Sequence, residues 1–428
     1  MDVSQENAEY VKYKNSLAIV DSVYQSSEAA VNNLLQYAKE KNTDFIHRKG
    51  IAILENYVEK AVNGASDIIF RKPIDITAIT SPDTLHFFKN VNYKDDLDTF
   101  AKDTTMSYNK DGQAFILVEA PKTEKKKLTK ADAAEIQPYF VHINRNSIVN
   151  YKKKNNKYTH VTIKESYDSS DDIFKEDFKV QYRVLQDNGI GRVFRDGVQY
   201  DTYTIPAGQV PIIEIGDVGY PPLLDLAKTN LTQMNRESEL QRYLRIAGSP
   251  FIAVFGRKND DGVVTIGVDE GMQFDSKEDG DVKWVEMTGK NAETIQAKID
   301  KLREAMIDKA VSFATTAKVL TATQVEKNAN ADESILSNTA QRVEQGINQA
   351  LALRQIFLGT NNEEIIALNK DFDSNILTPE QWKEYRTDYV QGVISWETYR
   401  KVLQEGEVYQ KLDDKQLEEE KVLTDEKE

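Results

Sequence analysis

Residues 219–256 read GYPPLLDLAKTNLTQMNRESELQRYLRIAGSPFIAVFG, and their reading decides the fold. Pro221 and Pro222 suit a helix start, where a missing N–H costs nothing because the first amides have no intrahelical partner. Gly248, Ser249 and Pro250 suit its end. Pro222 to Ala247 therefore predicts one helix of about 26 residues, about 39 Å long. Leu223, Leu226 and Ala227 give it an apolar face at one end, and Leu240, Tyr243, Leu244 and Ala247 at the other. Between them Asn235 to Glu239, NRESE, is polar on every side. Such a mid-section is costly inside one core. It is natural where helices from several copies pack around a wet axis, and that is the expectation here.

A β-rich insert follows, with FIAVFG, GVVTIGVD, GMQFD and VKWVEM separated by the turns RKNDDG and SKEDGD. A second long helix starts near Asn291, a suitable N-cap, with Glu293 in its first turn. Ile295, Ile299, Leu302, Met306 and Ala310 make one seam on it. Two long helices thus bracket a small β module, which fits an antiparallel pair with the module at its tip. Ser312 to Glu333, rich in threonine, reads as a loop or broken helix. The chain then resumes as a helix with Leu336, Ala340, Val343, Ile347 and Leu351 on one face, ended by Gly359.

Toward the N-terminus, Ser26–Lys41 and Phe45–Phe70 carry apolar residues at helical spacing. Ile51, Ile53, Leu54, Val58 and Val62 form the expected buried face of the second, and RKP at 71–73 closes the region. Another helix is expected over Asp95–Tyr108, leading into QAFILVEAP, whose continuous apolar run predicts a buried strand. Lys122–Glu135 is a basic connector. From Pro138 to Gly216 the pattern is of strands, read as one small antiparallel sheet or barrel, with DNGIG as a hairpin turn rather than a phosphate loop. Two short helices near the C-terminus have Thr378 and Ser395 as N-caps, and a charged tail follows.

Composition narrows the function. The chain has 428 residues, 40% hydrophobic and 29% charged, enough for two or three domains. No apolar run is long enough for a membrane span, and no signal-peptide core begins the chain, so a cytosolic product is expected. With no cysteine, disulfides, thiol nucleophiles and cysteine-ligated zinc are excluded. His47, His86, His142 and His160 have no metal-binding spacing. There is no G-x-x-x-x-G-K-[ST], G-x-S-x-G or H-E-x-x-H, so neither an enzyme nor a cofactor is expected. A net charge of −15 argues against a tight grip on nucleic acid, though not against a lining past which nucleic acid slides.

The order of parts resembles the portal proteins of tailed bacteriophages, nearest a branch often filed as a domain of unknown function. The segments that carry the resemblance are IFRKP, GQAFILVEAP, QPYFVHINRNSIVNYK, VPIIEIG…GYPPLLDLAKTNL, AGSPFIAVFG, LTATQVE and GVISWETYRKVLQEGEV, in that order nearly end to end. The resemblance implies an α+β, predominantly helical chain. Its parts are a wing (1–221, with a β-rich subdomain at 138–216), a stem of two helices (222–249 and 291–312), a clip (250–290) and a tunnel loop (313–323). Wing helices at 324–377, C-terminal helices of a reduced crown or wing at 378–408 and an acidic tail at 409–428 complete it. It implies a homo-oligomeric ring, usually of twelve copies, at the unique capsid vertex of a virion assembled in the host cytoplasm. Double-stranded DNA passes through that ring without sequence readout.

The implied partners are the large terminase subunit, a head–tail adaptor, and major capsid and scaffold proteins, with no membrane. Thr315, Thr316, Lys318 and Thr321 are the implied DNA-facing residues. Leu240, Tyr243, Leu244, Ile295, Ile299, Leu302 and Met306 are implied in subunit contact within the stem. Phe251, Val254, Arg257, Lys258 and Trp284 are implied in clip docking. Two rival readings are a monomeric adaptor with a β-barrel interaction module in 138–216, and a hydrolase with scattered acidic residues, for which no acid–base constellation is visible.

Overall fold

The computed structural model describes residues 2–121, 137–205, 208–247, 251–255, 281–285, 290–314, 322–360, 364–370, 372 and 379–405. The chain is α+β, as expected, and divides into two compact units, Met1–Lys370 and Asp371–Glu428. The first unit begins with helices α1 (Ala8–Gln25), α2 (Ser27–Ala30), α3 (Asn42–Ile51), α4 (Tyr57–Ile69), α5 (Pro82–Phe88) and α6 (Leu97–Asp111). Asn7, Ser26, Asn56, Ser81 and Asp96 each accept a backbone N–H at a helix start, the role their short polar side chains suit. Gly112 ends α6 in the left-handed conformation (φ 73°), its N–H bonded to the Tyr108 carbonyl at 2.8 Å.

Two sheets follow. Strand β1 (Gln113–Glu119) lies between β2 (Tyr139–Ile143) and β8 (Ile212–Gly216), both antiparallel to it. Strands β3 (Ile148–Lys154), β4 (Lys157–Asp168), β5 (Phe178–Gln186), β6 (Ile190–Arg195) and β7 (Val198–Thr204) form an open antiparallel meander in sequence order. The 138–216 strands are therefore split between two sheets, and they form no closed barrel. YFVHIN and VPIIEIG join the strand QAFILVE because their apolar faces complete its cover, while the rest zip up through short turns. Residues 187–189 are one of those turns, as expected for DNGIG.

The sheets face each other. Phe115 and Leu117 of β1 share a core with Val161, Ile163, Leu185 and Ile212. Alternation sends Ile116 and Val118 to the opposite face. There Phe140, paired with Val118, meets the rings of Phe87 and Phe100 from the helical layer. Covered on both faces, β1 reads as an unbroken apolar run. Helix α9 (Ala322–Leu358) lies along this layer, against β1, β8 and α6. Leu336, Ala340, Val343, Ile347 and Leu351 are its buried face, as expected. A Cβ on Gly346 would stand 2.4 Å from Ile215, so glycine is what lets the helix approach β8.

Several expected helix boundaries shift. Helix α1 carries no strong stripe and was not anticipated from the sequence; α5 is also new. Ser26–Lys41 is helical only to Asn33, where a 3-10 turn follows α2, and Phe45–Phe70 is broken between α3 and α4, where Asn56 caps the second helix. Ile53 falls in that break and stands 61% exposed, while Leu54, Val58 and Val62 are buried. The expected loop before residue 334 is shorter, because α9 is already helical from Ala322. The second unit contains α10 (Pro379–Val390) and α11 (Trp396–Glu405). Tyr389 and Tyr399 stack across them with ring centroids 4.9 Å apart, and Ser395 caps the second, as expected. Thr378 lies outside the described residues.

Where the helices meet the sheets, charges are buried. Lys110 reaches Asp21 at 2.6 Å and Asp111 at 3.8 Å. Arg145 donates to the carbonyls of Asp111 (2.5 Å) and Gly219 (2.6 Å). Asp111 is 1% exposed, and its Oδ1 has no hydrogen-bond partner among the described residues. Burial pushes its carboxyl up to about 6, against the attraction of Lys110. A raised carboxyl pKa gives stability that is fully present below the unfolded value of 3.8 and is lost as pH rises through about 6. Asp111→Asn removes that loss. The substitution is expected to raise stability by about 1–3 kcal/mol at pH 8, with the gain fading below pH 6, in chemical denaturation run across that range.

Candidate functional site

Helix α7 (Leu224–Ala247) and helix α8 (Lys290–Ala314) form the pair anticipated from the sequence. They run antiparallel. Leu223, Leu226 and Ala227 share a cluster with Ala310, Met234 lies in the same cluster as Met306, and Glu237 approaches Arg303 at 3.8 Å. Beyond α7 and before α8, strands β9 (Phe251–Phe255) and β10 (Asp281–Val285) pair antiparallel, with Val254 opposite Val282 and Trp284 opposite Ile252. Helix α8 starts at Lys290, so Asn291 sits inside its first turn rather than at the cap.

Part of the polar middle of α7 is answered inside the chain. Asn230, Gln233, Met234 and Ser238 are fully buried. Asn230 accepts from the Tyr57 N–H (3.0 Å) and donates to the Glu55 carbonyl (2.8 Å), holding the break between α3 and α4. Arg48, 1% exposed, reaches over from α3. It is bidentate to Glu40 (2.8 and 2.9 Å) and donates to Asn235 (2.5 Å), Ser238 (3.2 Å) and the Leu35 carbonyl (2.7 Å). Tyr37 and Phe45 flank the guanidinium at 5.0 and 5.3 Å. Arg242, one turn further along α7, pairs with Glu40 (3.4 Å) and Asp44 (2.7 Å). On α8, Arg303 closes on Glu55 at 2.5 Å. The hydrogen bonds from Arg48 hold the Glu40 carboxyl below its usual range, and the Glu40 carboxylate raises Arg48 in turn. The N-terminal helices supply partners that a lone pair of helices would lack, while the buried Gln233 amide has no hydrogen-bond partner among the described residues.

The implied stem residues divide by burial. Leu240, Ile299 and Met306 are covered by the chain's own helices. Tyr243, Ile295 and Leu302 are half-buried, and Leu244 is 51% exposed. Phe251 and Val254 lie in β9 and Trp284 in β10; Arg257 and Lys258 fall outside the described residues. Thr315, Thr316, Lys318 and Thr321 also fall outside them, between the end of α8 and the start of α9. Sequence reading missed Arg48, Glu40 and Asn230. The one available signal was the NRESE stretch itself, whose polar groups require partners.

No three or more of His, Asp and Glu are placed to hold a metal ion, and no helix is long and apolar enough to cross a membrane, among the described residues.

The match to known families coincides with this region. A family model described as a domain of unknown function (DUF4055) matches residues 222–358, spanning α7 through α9. Among solved structures the chain is similar to one described as the neck of an empty GTA particle computed with C6 symmetry, at 14% identity and a TM-score of 0.39. It is similar to the virion of a native gene transfer agent particle at 14% identity and a TM-score of 0.41. A third is the neck of a native GTA particle computed with C12 symmetry, at 13% identity and a TM-score of 0.38. Each likeness covers 81% of this chain and 89% of the other. Comparison with curated proteins returns no match.

Removing one partner of a buried ion pair leaves the other charge uncompensated. Arg48→Met is expected to cost about 3–5 kcal/mol in urea unfolding. Arg236→Met, whose partner Glu239 is a half-exposed neighbour one turn away, is expected to cost under about 1 kcal/mol.

Proposed function

We propose that this chain is a portal subunit of a tailed-phage-like particle. It builds a closed ring of about twelve copies at one capsid vertex, through which double-stranded DNA is packaged and later leaves. Helices α7 and α8 are the stem, and β9–β10 belongs to the clip, which docks the terminase motor and then a head–tail adaptor. The segment around Thr315, Thr316, Lys318 and Thr321 faces the DNA. The ring is a conduit, and no catalytic step is assigned to it.

The observation that carries this reading is the antiparallel pair of 24- and 25-residue helices with a β hairpin between their far ends. The ordered resemblance of seven sequence segments supports it. So does the net charge of −15, which disfavours a tight grip on phosphates. A second reading, a monomeric adaptor, gains from one finding. The helix pair closes its core within a single chain, so its polar middle no longer demands other copies.

Negative-stain class averages and native mass spectrometry separate the two. Closed rings with a central hole are expected, and a monodisperse monomer at every concentration favours the adaptor. Leu244→Asp places a charge on the half-exposed stem position. It is expected to abolish rings while leaving the thermal melt of the subunit within a few degrees. Intact rings from that variant would remove Leu244 from the subunit contact.

A further inference from the structure

The five-stranded meander is electrically polarised along its strands. The β4–β5 connection, residues 169–177, lies at one end. With Asp168 it carries five carboxylates against the single Lys175. At its tip Ile173 and Phe174 are each 89% exposed. The β3–β4 turn lies at the opposite end, about 40 Å away along the twelve residues of β4. There the run Lys152-Lys153-Lys154-Asn155-Asn156-Lys157 holds four lysines and no acid. Lys153 is paired with Glu214, but Lys154 and Lys157 have no ion-pair partner among the described residues.

The basic end is also concave. A cleft of about 860 Å³ opens there, lined by Lys154, Lys157 and Tyr158 together with the largely covered Val210, Ile212 and Leu353. Two large apolar side chains fit such a volume. At the other end, adjacent Ile and Phe side chains standing in water at the tip of a hairpin call for a cover. One end is convex and the other concave, and within the cleft Glu214 is taken by Lys153 and Asp217 by Arg342, which leaves Lys154 and Lys157 against Asp187 for an acidic visitor to meet. A convex patch and its complement on opposite ends of the same domain make a heterologous contact, which gives a ring where its rotation closes and an open filament where it does not.

We propose that the acidic hairpin tip of one copy, led by Ile173 and Phe174, seats in the lysine-lined cleft of the next copy. This rests on the ring reading and assigns one of its contacts. Nucleic acid is the weaker occupant of the cleft. Two lysines without an ion-pair partner neutralise few phosphates.

The test is a charge exchange in the full chain. Lys154→Glu with Lys157→Glu makes one variant; Asp171→Lys, Asp172→Lys and Glu176→Lys make the other. Each alone sets like charge against like at every contact, and its assembled fraction is expected to fall roughly tenfold or more by native mass spectrometry. Mixed in equal amounts, the two satisfy each other in alternation, and rings are expected to return. The chain has no cysteine, so Phe174→Cys with Lys154→Cys gives a clean oxidation assay, in which a ladder of linked copies is expected. Wild-type rings together with full assembly of both variants and no ladder would overturn the contact and leave the ring reading standing. A wild-type chain that stays monomeric, with no ladder from the double-cysteine variant, would overturn both. Loss of DNA binding without loss of assembly in the lysine variant would give the cleft to nucleic acid and also overturn the contact.

Discussion

A guanidinium buried to 1% exposure has to have its donors satisfied, and that demand on Arg48 organises the helical half of the molecule. Its fork takes Glu40, and its remaining donors take Asn235, Ser238 and the Leu35 carbonyl. These partners come from two stretches of chain, 35–40 and 235–238. Residues 34–41 leave the helix and turn at 38–39, where the Glu40 N–H bonds the Tyr37 carbonyl at 2.9 Å, which brings a carbonyl, a tyrosine ring and a carboxylate to one point. Helix α3 must stop at Ile51 so that the chain can turn under Asn230 of α7. Arg242 and Arg303 extend the same logic outward along α7 and α8. The pair of long helices is thus rooted by ionic and hydrogen-bonding geometry at its middle and by apolar burial at its base.

That root explains which parts were legible in the sequence. Periodicity found α6, the core face of α9 and the pair α7–α8, because each buries a stripe against one neighbour. The unbroken run of β1 announced a strand covered on both faces. Turn residues placed the meander. Partnering was not legible. The division of strands between two sheets follows from which strand lies beside β1, and no local pattern encodes that. The segment 26–41 has helical spacing, yet its backbone is claimed by Arg48, a tertiary demand that outweighs a weak propensity. The NRESE stretch signals a need for polar partners without saying where they come from. Its polarity reflects partners nearly two hundred residues away in the chain, which no window around it contains.

The two halves of the first unit use charge differently. In the helical half the buried Arg48 and Lys110 have carboxylates placed on them, and those arrangements are closed within the chain. In the meander, the excess of one sign at each end is left open to solvent. A closed arrangement fixes shape. An open and asymmetric one is available to something outside. The Lys110, Asp21, Asp111 and Arg145 cluster sits between these regimes, at the seam of helices and sheets.

The Arg48 junction also has a consequence for how such a chain can diverge. Exposed helix faces drift one residue at a time, since each change is close to neutral. Glu40, Arg48, Asn235 and Ser238 cannot, because loss of any one strands a buried charge or amide. Their replacement has to be collective, and an apolar set of similar volume would serve as well. Descendants of this fold are therefore expected to carry either the whole polar quartet or a wholly apolar one, with mixed sets selected against.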